Sequence, residues 1–181
     1  MAIATGSRSR SIARRLMLVS ALVVALSVAF TGAASAQTPF QATVKATQTL
    51  PAGPCSNGAF ACGTANIAGY GAASWNLFVT SVTPVVSSCG SSYTATTEFT
   101  LASDPGSTLV LDESGPLCAP GKDGAGFWKE GPAYGHPFTF VGSWTVDPTS
   151  TGQFFGLAGS GSDLVNTAGA NVAGSYSGTL G

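Results

Sequence analysis

The feature that most constrains this chain is period-two alternation, cut at short intervals by glycine and proline. In residues 40–46, Phe40, Ala42, Val44 and Ala46 share one face, and Gln41, Thr43 and Lys45 take the other. Such alternation describes a half-buried strand, because successive side chains leave a pleated backbone on opposite sides. The pattern recurs in 74–83, with Trp75, Leu77 and Val79 in phase, and in 93–101, with Tyr93, Ala95, Thr97, Phe99 and Leu101 in phase. It returns in 138–146 through Phe138, Phe140, Gly142, Trp144 and Val146. A weaker strand is predicted over 64–70, and Pro84 is expected to interrupt the strand before it. A long helix is excluded by the density of breakers, 24 glycines and 10 prolines.

Turns complete the pattern. Ser103-Asp104-Pro105-Gly106-Ser107 combines a preset φ at proline with a glycine that accepts positive φ. It predicts a hairpin whose second strand is 108–113. A long Gly/Pro-rich loop is expected over 114–137. Asp147-Pro148-Thr149-Ser150-Thr151-Gly152 turns the chain into a strand at 153–161, and 171–180 closes the domain. Glycines within these last strands predict bends or bulges. About eight strands in one domain predict an all-β fold, a single antiparallel eight-stranded barrel, with a β-sandwich as the alternative architecture.

The amino end reads differently. Arg8, Arg10, Arg14 and Arg15 precede an apolar run from Leu16 to Phe30, and Ala34-Ser35-Ala36 follows. Basic, apolar and A-x-A in that order predict a signal peptide over 1–36, leaving a mature domain over 37–181. The apolar run of about 15 residues falls short of the ~20 that span a bilayer, so no membrane span is expected in the mature form. Arg14-Arg15 matches a twin-arginine export signal in part, so the export route stays open. The signal removes every arginine. Lys45, Lys122 and Lys129 then face eight acids, a formal charge of −5. Such a chain is a poor partner for nucleic acid or anionic membrane, whose binding depends on neutralising phosphates.

Cys55, Cys62, Cys89 and Cys118 contain no C-x-x-C pair, and His136 is the single histidine. That spacing suits no metal site, and none is expected. An even count in an exported chain predicts two disulfides. Of three connectivities, Cys55–Cys62 with Cys89–Cys118 is preferred, since the first pair brackets the Ser56-Asn57-Gly58 loop.

No catalytic set can be assembled. Any Ser-His-acid or Cys-His mechanism would need His136, placed between Gly135 and Pro137 in the long loop, where it reads as an exposed histidine. No G-x-S-x-G elbow or phosphate-binding glycine loop occurs. Asp112 and Glu113 are adjacent, so on a strand they face opposite ways; one facing a barrel interior would have a raised pKa. A solvent-exposed hairpin end is the plainer expectation for both, and Glu98 is expected on the exposed face. Trp75 and Trp144 are in phase with the core. Trp128, beside Phe127 and with Tyr134 in the same loop, is the candidate ligand contact.

The carboxy-terminal third carries Gly142-Ser143-Trp144-Thr145-Val146, then Gly152-Gln153-Phe154-Phe155-Gly156-Leu157-Ala158-Gly159-Ser160-Gly161, and ends Gly174-Ser175-Tyr176-Ser177-Gly178-Thr179-Leu180. This rhythm resembles small exported bacterial proteins related to the allene oxide cyclase and dirigent barrels. The likeness covers roughly 40 residues. It departs from that pattern at Gln153 and at Leu157 before Ala158, and no catalytic residue of those enzymes maps onto the chain. It implies an eight-stranded barrel. The expected function is a secreted, non-catalytic, cofactor-free protein that binds a small apolar molecule or mediates surface contacts. A cyclase- or isomerase-like enzyme and a carbohydrate-binding module using Trp128 are the alternatives.

Overall fold

The computed structural model describes residues 36–48, 55–85, 89–118, 138–168 and 171–181, all in a unit spanning Ala36–Gly181. The proposed signal peptide, His136, and Trp128, Phe127 and Tyr134 lie outside the described residues. Eight strands run in order: β1 Thr38–Gln48, β2 Ala61–Ile67, β3 Gly71–Pro84, β4 Gly90–Leu101, β5 Thr108–Cys118, β6 Phe138–Val146, β7 Gly159–Ala168 and β8 Asn171–Leu180. Each pairs antiparallel with the next, and β8 returns to β1 from Thr38↔Leu180 to Thr47↔Asn171, closing the barrel. The expected architecture is therefore present, and the sandwich alternative is excluded.

Alternation sets which residues point inward. Phe40, Trp75, Leu77, Tyr93, Phe99, Leu101, Phe140, Trp144, Val165 and Tyr176 are all buried in one core cluster. Outward positions on the same strands are mostly Ser, Thr and Asn, as in Thr94, Thr96, Ser143, Ser162 and Asn166. This is the inverse of a lipid-facing barrel, whose outer band must be apolar. Among the described residues no helix is long and apolar enough to cross a membrane.

Two boundaries differ from expectation. β5 continues to Cys118 rather than ending at 113. Gly115 and Pro116 broke the apparent pattern, yet both sit in register with β4, as Tyr93↔Gly115 and Ser92↔Pro116. β3 does end at Pro84, as expected, where a strand tolerates a missing donor. Residues 153–158 are not strand: Gly152–Phe154 form a 3-10 turn, and β7 runs to Ala168 instead. Nor do the late glycines mark bulges, since β7 and β8 pair without a slip from Gly159↔Leu180 to Ala168↔Asn171. The register shift lies in β3, between Val79 and Ser81. There the Thr80 and Ser81 hydroxyls both reach Thr94 Oγ1 at 2.7 Å.

The two ends of the barrel are finished differently. At one, the 3-10 turn inserts Phe154, which is fully buried and stacks on Tyr70 at 4.9 Å. Gly152, at φ 59°, lets that turn pass so close to Ser107 that a Cβ would collide with it. Thr151 N donates to Thr108 O at 2.8 Å, and Gln153 N to Ser107 Oγ at 2.8 Å. The other end carries both disulfides, Cys55–Cys62 and Cys89–Cys118, in the expected pairing. They fit an oxidising compartment. The second joins the start of β4 to the end of β5. Replacing Cys89 and Cys118 together by alanine should cost about 2–4 kcal/mol of stability by restoring freedom to the unfolded chain. Urea denaturation of both proteins measures it.

Candidate functional site

The barrel interior is not wholly apolar. Glu113 on β5 and Asp163 on β7 point inward and are only 4% and 3% exposed. Their placement follows from phase: Leu109, Leu111, Glu113 and Leu117 are the buried residues of one face of β5, and Asp163, Val165 and Thr167 of one face of β7. The expectation of an exposed hairpin end is thus overturned for Glu113, because β5 extends past it. Asp112 does face outward. Glu98 lies on the outer side of β4, half-buried rather than fully exposed.

Glycines make room for the polar groups. Register carries one row from Tyr93 across Gly115 and Gly142 to Asp163 and on to Tyr176. A Cβ on Gly142 would run into Asp163 Oδ1 and the Tyr93 hydroxyl. Across this clearing Tyr93 donates its phenolic hydrogen to Asp163 Oδ2 at 3.0 Å. The adjacent row runs Glu113, Trp144, Gly161, Gly178 and Phe40. Here the Trp144 ring lies over both glycines, and its Nε1 donates to Ser162 O at 3.1 Å. Trp144, Phe40, Phe99 and Tyr176 then follow edge to face, at ring separations of 5.3, 6.3 and 5.2 Å. Such tilted aromatic pairs are each favourable beyond the area they bury.

Burial is the main cause of the cluster's electrostatics. Desolvation, then the Asp163 charge, pushes Glu113 up to about 8, against weaker opposition from the Thr97 and Tyr176 hydroxyls. Desolvation also raises Asp163 to about 6, while the Tyr93 hydrogen bond and the amides of Asp163 and Gly142 favour its charged form. The two carboxyls titrate as a pair. Burial, then the neighbouring carboxylates, raises Tyr93 and Tyr176, so both phenols remain donors. Lys45, the only lysine among the described residues, is exposed on the outer face of β1 and gives the pair no counter-charge.

Three atoms at this centre have no hydrogen-bond partner: Glu113 Oε1, Asp163 Oδ1 and Trp75 Nε1. Trp75 lies beside Tyr176, and the Gly142 amide beside Asp163, without meeting hydrogen-bond geometry at those atoms. Together they offer one N–H donor and two carboxyl oxygens, the complement of a small molecule's hydroxyl or carbonyl groups. Among the described residues no group of three or more His, Cys, Asp or Glu could hold a metal.

The sequence pointed to Glu113 only as one of an adjacent pair. It missed Asp163, because Leu164 and Val165 are adjacent apolar residues and leave the phase of β7 ambiguous. Leu164 proves to be the outward one, 44% exposed.

The raised carboxyls fix a pH dependence. The folded state keeps a proton on Glu113 that the unfolded chain, near the ordinary 4.5, releases earlier. The stability tied to that proton is complete below about 4.5 and is lost as pH rises through about 8, with Asp163 acting in the same sense at lower pH. The melting temperature should therefore fall from about pH 5 to pH 9, and Glu113→Gln should flatten the upper part of that decline. A profile that is flat or rising over this range contradicts it. Gly142→Ala should break the Tyr93–Asp163 contact and cost about 1–3 kcal/mol in urea denaturation, by overpacking.

No family model, curated protein or solved structure matches this chain.

Proposed function

We propose that this is a secreted barrel that holds one small, largely apolar molecule in its interior, anchored by a hydroxyl or carbonyl group at the Glu113–Asp163–Trp75 centre. The observation that carries this reading is the trio of buried polar atoms left unpartnered there. Leaving a buried polar group unmade costs about 1–3 kcal/mol, so three such atoms together favour a polar occupant. The surrounding rings suit the rest of such a molecule, since pockets for small ligands combine apolar walls with a few placed polar groups. An eight-stranded barrel has an interior of the size that holds one small ligand. Secretion is supported by the basic–apolar–A-x-A amino end and agrees with the two disulfides.

A second reading, a cyclase- or isomerase-like enzyme, is favoured by the unequal proton affinities of the two carboxyls. Glu113, the member raised further, would donate a proton, and Asp163 would accept one. The carboxy-terminal resemblance supports this alternative.

Native mass spectrometry of protein purified from culture medium tests both. A small-molecule adduct that survives native spraying, disappears on denaturation and is lost in Asp163→Asn is the expected result. Bare polypeptide mass in every preparation would remove the binding reading. If the compound recovered from the parent is an isomer of that recovered from Glu113→Gln, the enzyme reading replaces it.

A further inference from the structure

The outer surface carries a concavity on the side of the sheet away from the core. It encloses about 740 Å³ on the outside of β3–β7. Because Ala95, Glu113, Trp144 and Gly161 belong to the inward phase, their backbones form its floor. Its walls are outward side chains, chiefly hydroxyls: Thr80, Thr94, Thr96, Ser114, Thr145 and Ser160. The volume is within the range of small-ligand sites.

One register row organises this surface. Phe78 pairs with Thr96, Thr96 with Asp112, Asp112 with Thr145, and Thr145 with Ser160. All five point outward, on five consecutive strands. Phe78 is a half-buried ring that does not join the core cluster. The row thus presents an aromatic face, a hydroxyl, a carboxylate and two further hydroxyls in a line across the strands. The bulge in β3 adds Thr80 beside it.

This order of groups has a chemical complement. Neighbouring strands lie about 4.8 Å apart, close to the rise of one pyranose unit in an extended chain. The apolar face of a pyranose packs on an aromatic ring. A carboxylate accepts hydrogen bonds from two vicinal hydroxyls, and Ser and Thr both donate and accept. Charge narrows the class. Among the described residues no lysine, arginine or histidine lines the concavity, and Asp147 adds a second acid next to Asp112. A phosphorylated, sulfated or uronic polymer would be repelled.

We infer that the concavity lined by Thr96, Asp112, Thr145 and Ser160, together with Phe78 beside it in the same register row, is a binding site for a neutral, extended glycan chain. Trp128, where the sequence suggested sugar contact, lies outside the described residues, and the proposal does not depend on the interior ligand.

The test uses the mature protein with cellohexaose, chitohexaose and laminarihexaose as probes, followed by isothermal titration and amide chemical-shift mapping. Binding of at least one probe is expected, with shifts confined to β3–β7. Phe78→Ala and Asp112→Asn should each weaken it on the order of tenfold, the first by loss of a ring contact and the second by loss of a charge-assisted hydrogen bond. Thr43→Ala, on the outer face of β1, should leave it unchanged. Both site variants alter outward side chains, and an unchanged melting temperature would confirm that they fold. No heat and no shifts at millimolar concentrations of all three probes would overturn the inference. So would binding that Phe78→Ala and Asp112→Asn leave intact, or shifts that map elsewhere.

Discussion

Closure of the sheet on itself imposes the governing constraint: eight strands enclose a lumen of fixed width, which side chains fill alone or share with one small ligand. This chain lines it with rings, and rings are too large to stand side by side at every inward position. Glycines on the facing strands resolve the crowding. Trp144 lies over Gly161 and Gly178, and Tyr93 reaches past Gly142 to Asp163. Large and absent side chains thus alternate around the lumen. The glycines that interrupt the alternation in the sequence are what let the rings pack.

The same closure explains the electrochemistry of the centre. A carboxyl in mid-strand and in inward phase cannot reach solvent, so Glu113 and Asp163 are held where charge is costly. Their nearest polar neighbours are phenols and a hydroxyl, which soften that cost without cancelling it. Two acids buried side by side make each other's ionisation costlier, so the pair is a weak contributor to stability.

Much of the fold was legible because alternation is a local signal. Strands with strong aromatic phase were found best: β6 to the residue, and β4 but for its first three residues. Legibility failed where glycine replaced an inward side chain. Gly115 made β5 look finished, and Gly159 and Gly161 gave β7 no apolar phase to read. Glu113 and Asp163 belong to those two strands, so the candidate site was harder to see than the fold. Only pairing with the neighbours shows that a missing side chain is a position in the row. The resemblance at the carboxy end anticipated a barrel but supplied no residue for its centre.

The order of strands around the barrel has a temporal meaning. The last seam joins β1 to β8, with Thr38 opposite Leu180. A chain emerging amino end first therefore carries β1 with one edge open until β8 has appeared. An open edge is the part of a sheet most prone to pair with the wrong partner. For a polypeptide threaded through a narrow translocation channel, the dangerous interval lasts for the whole passage. For one carried across already folded, it ends before the journey begins.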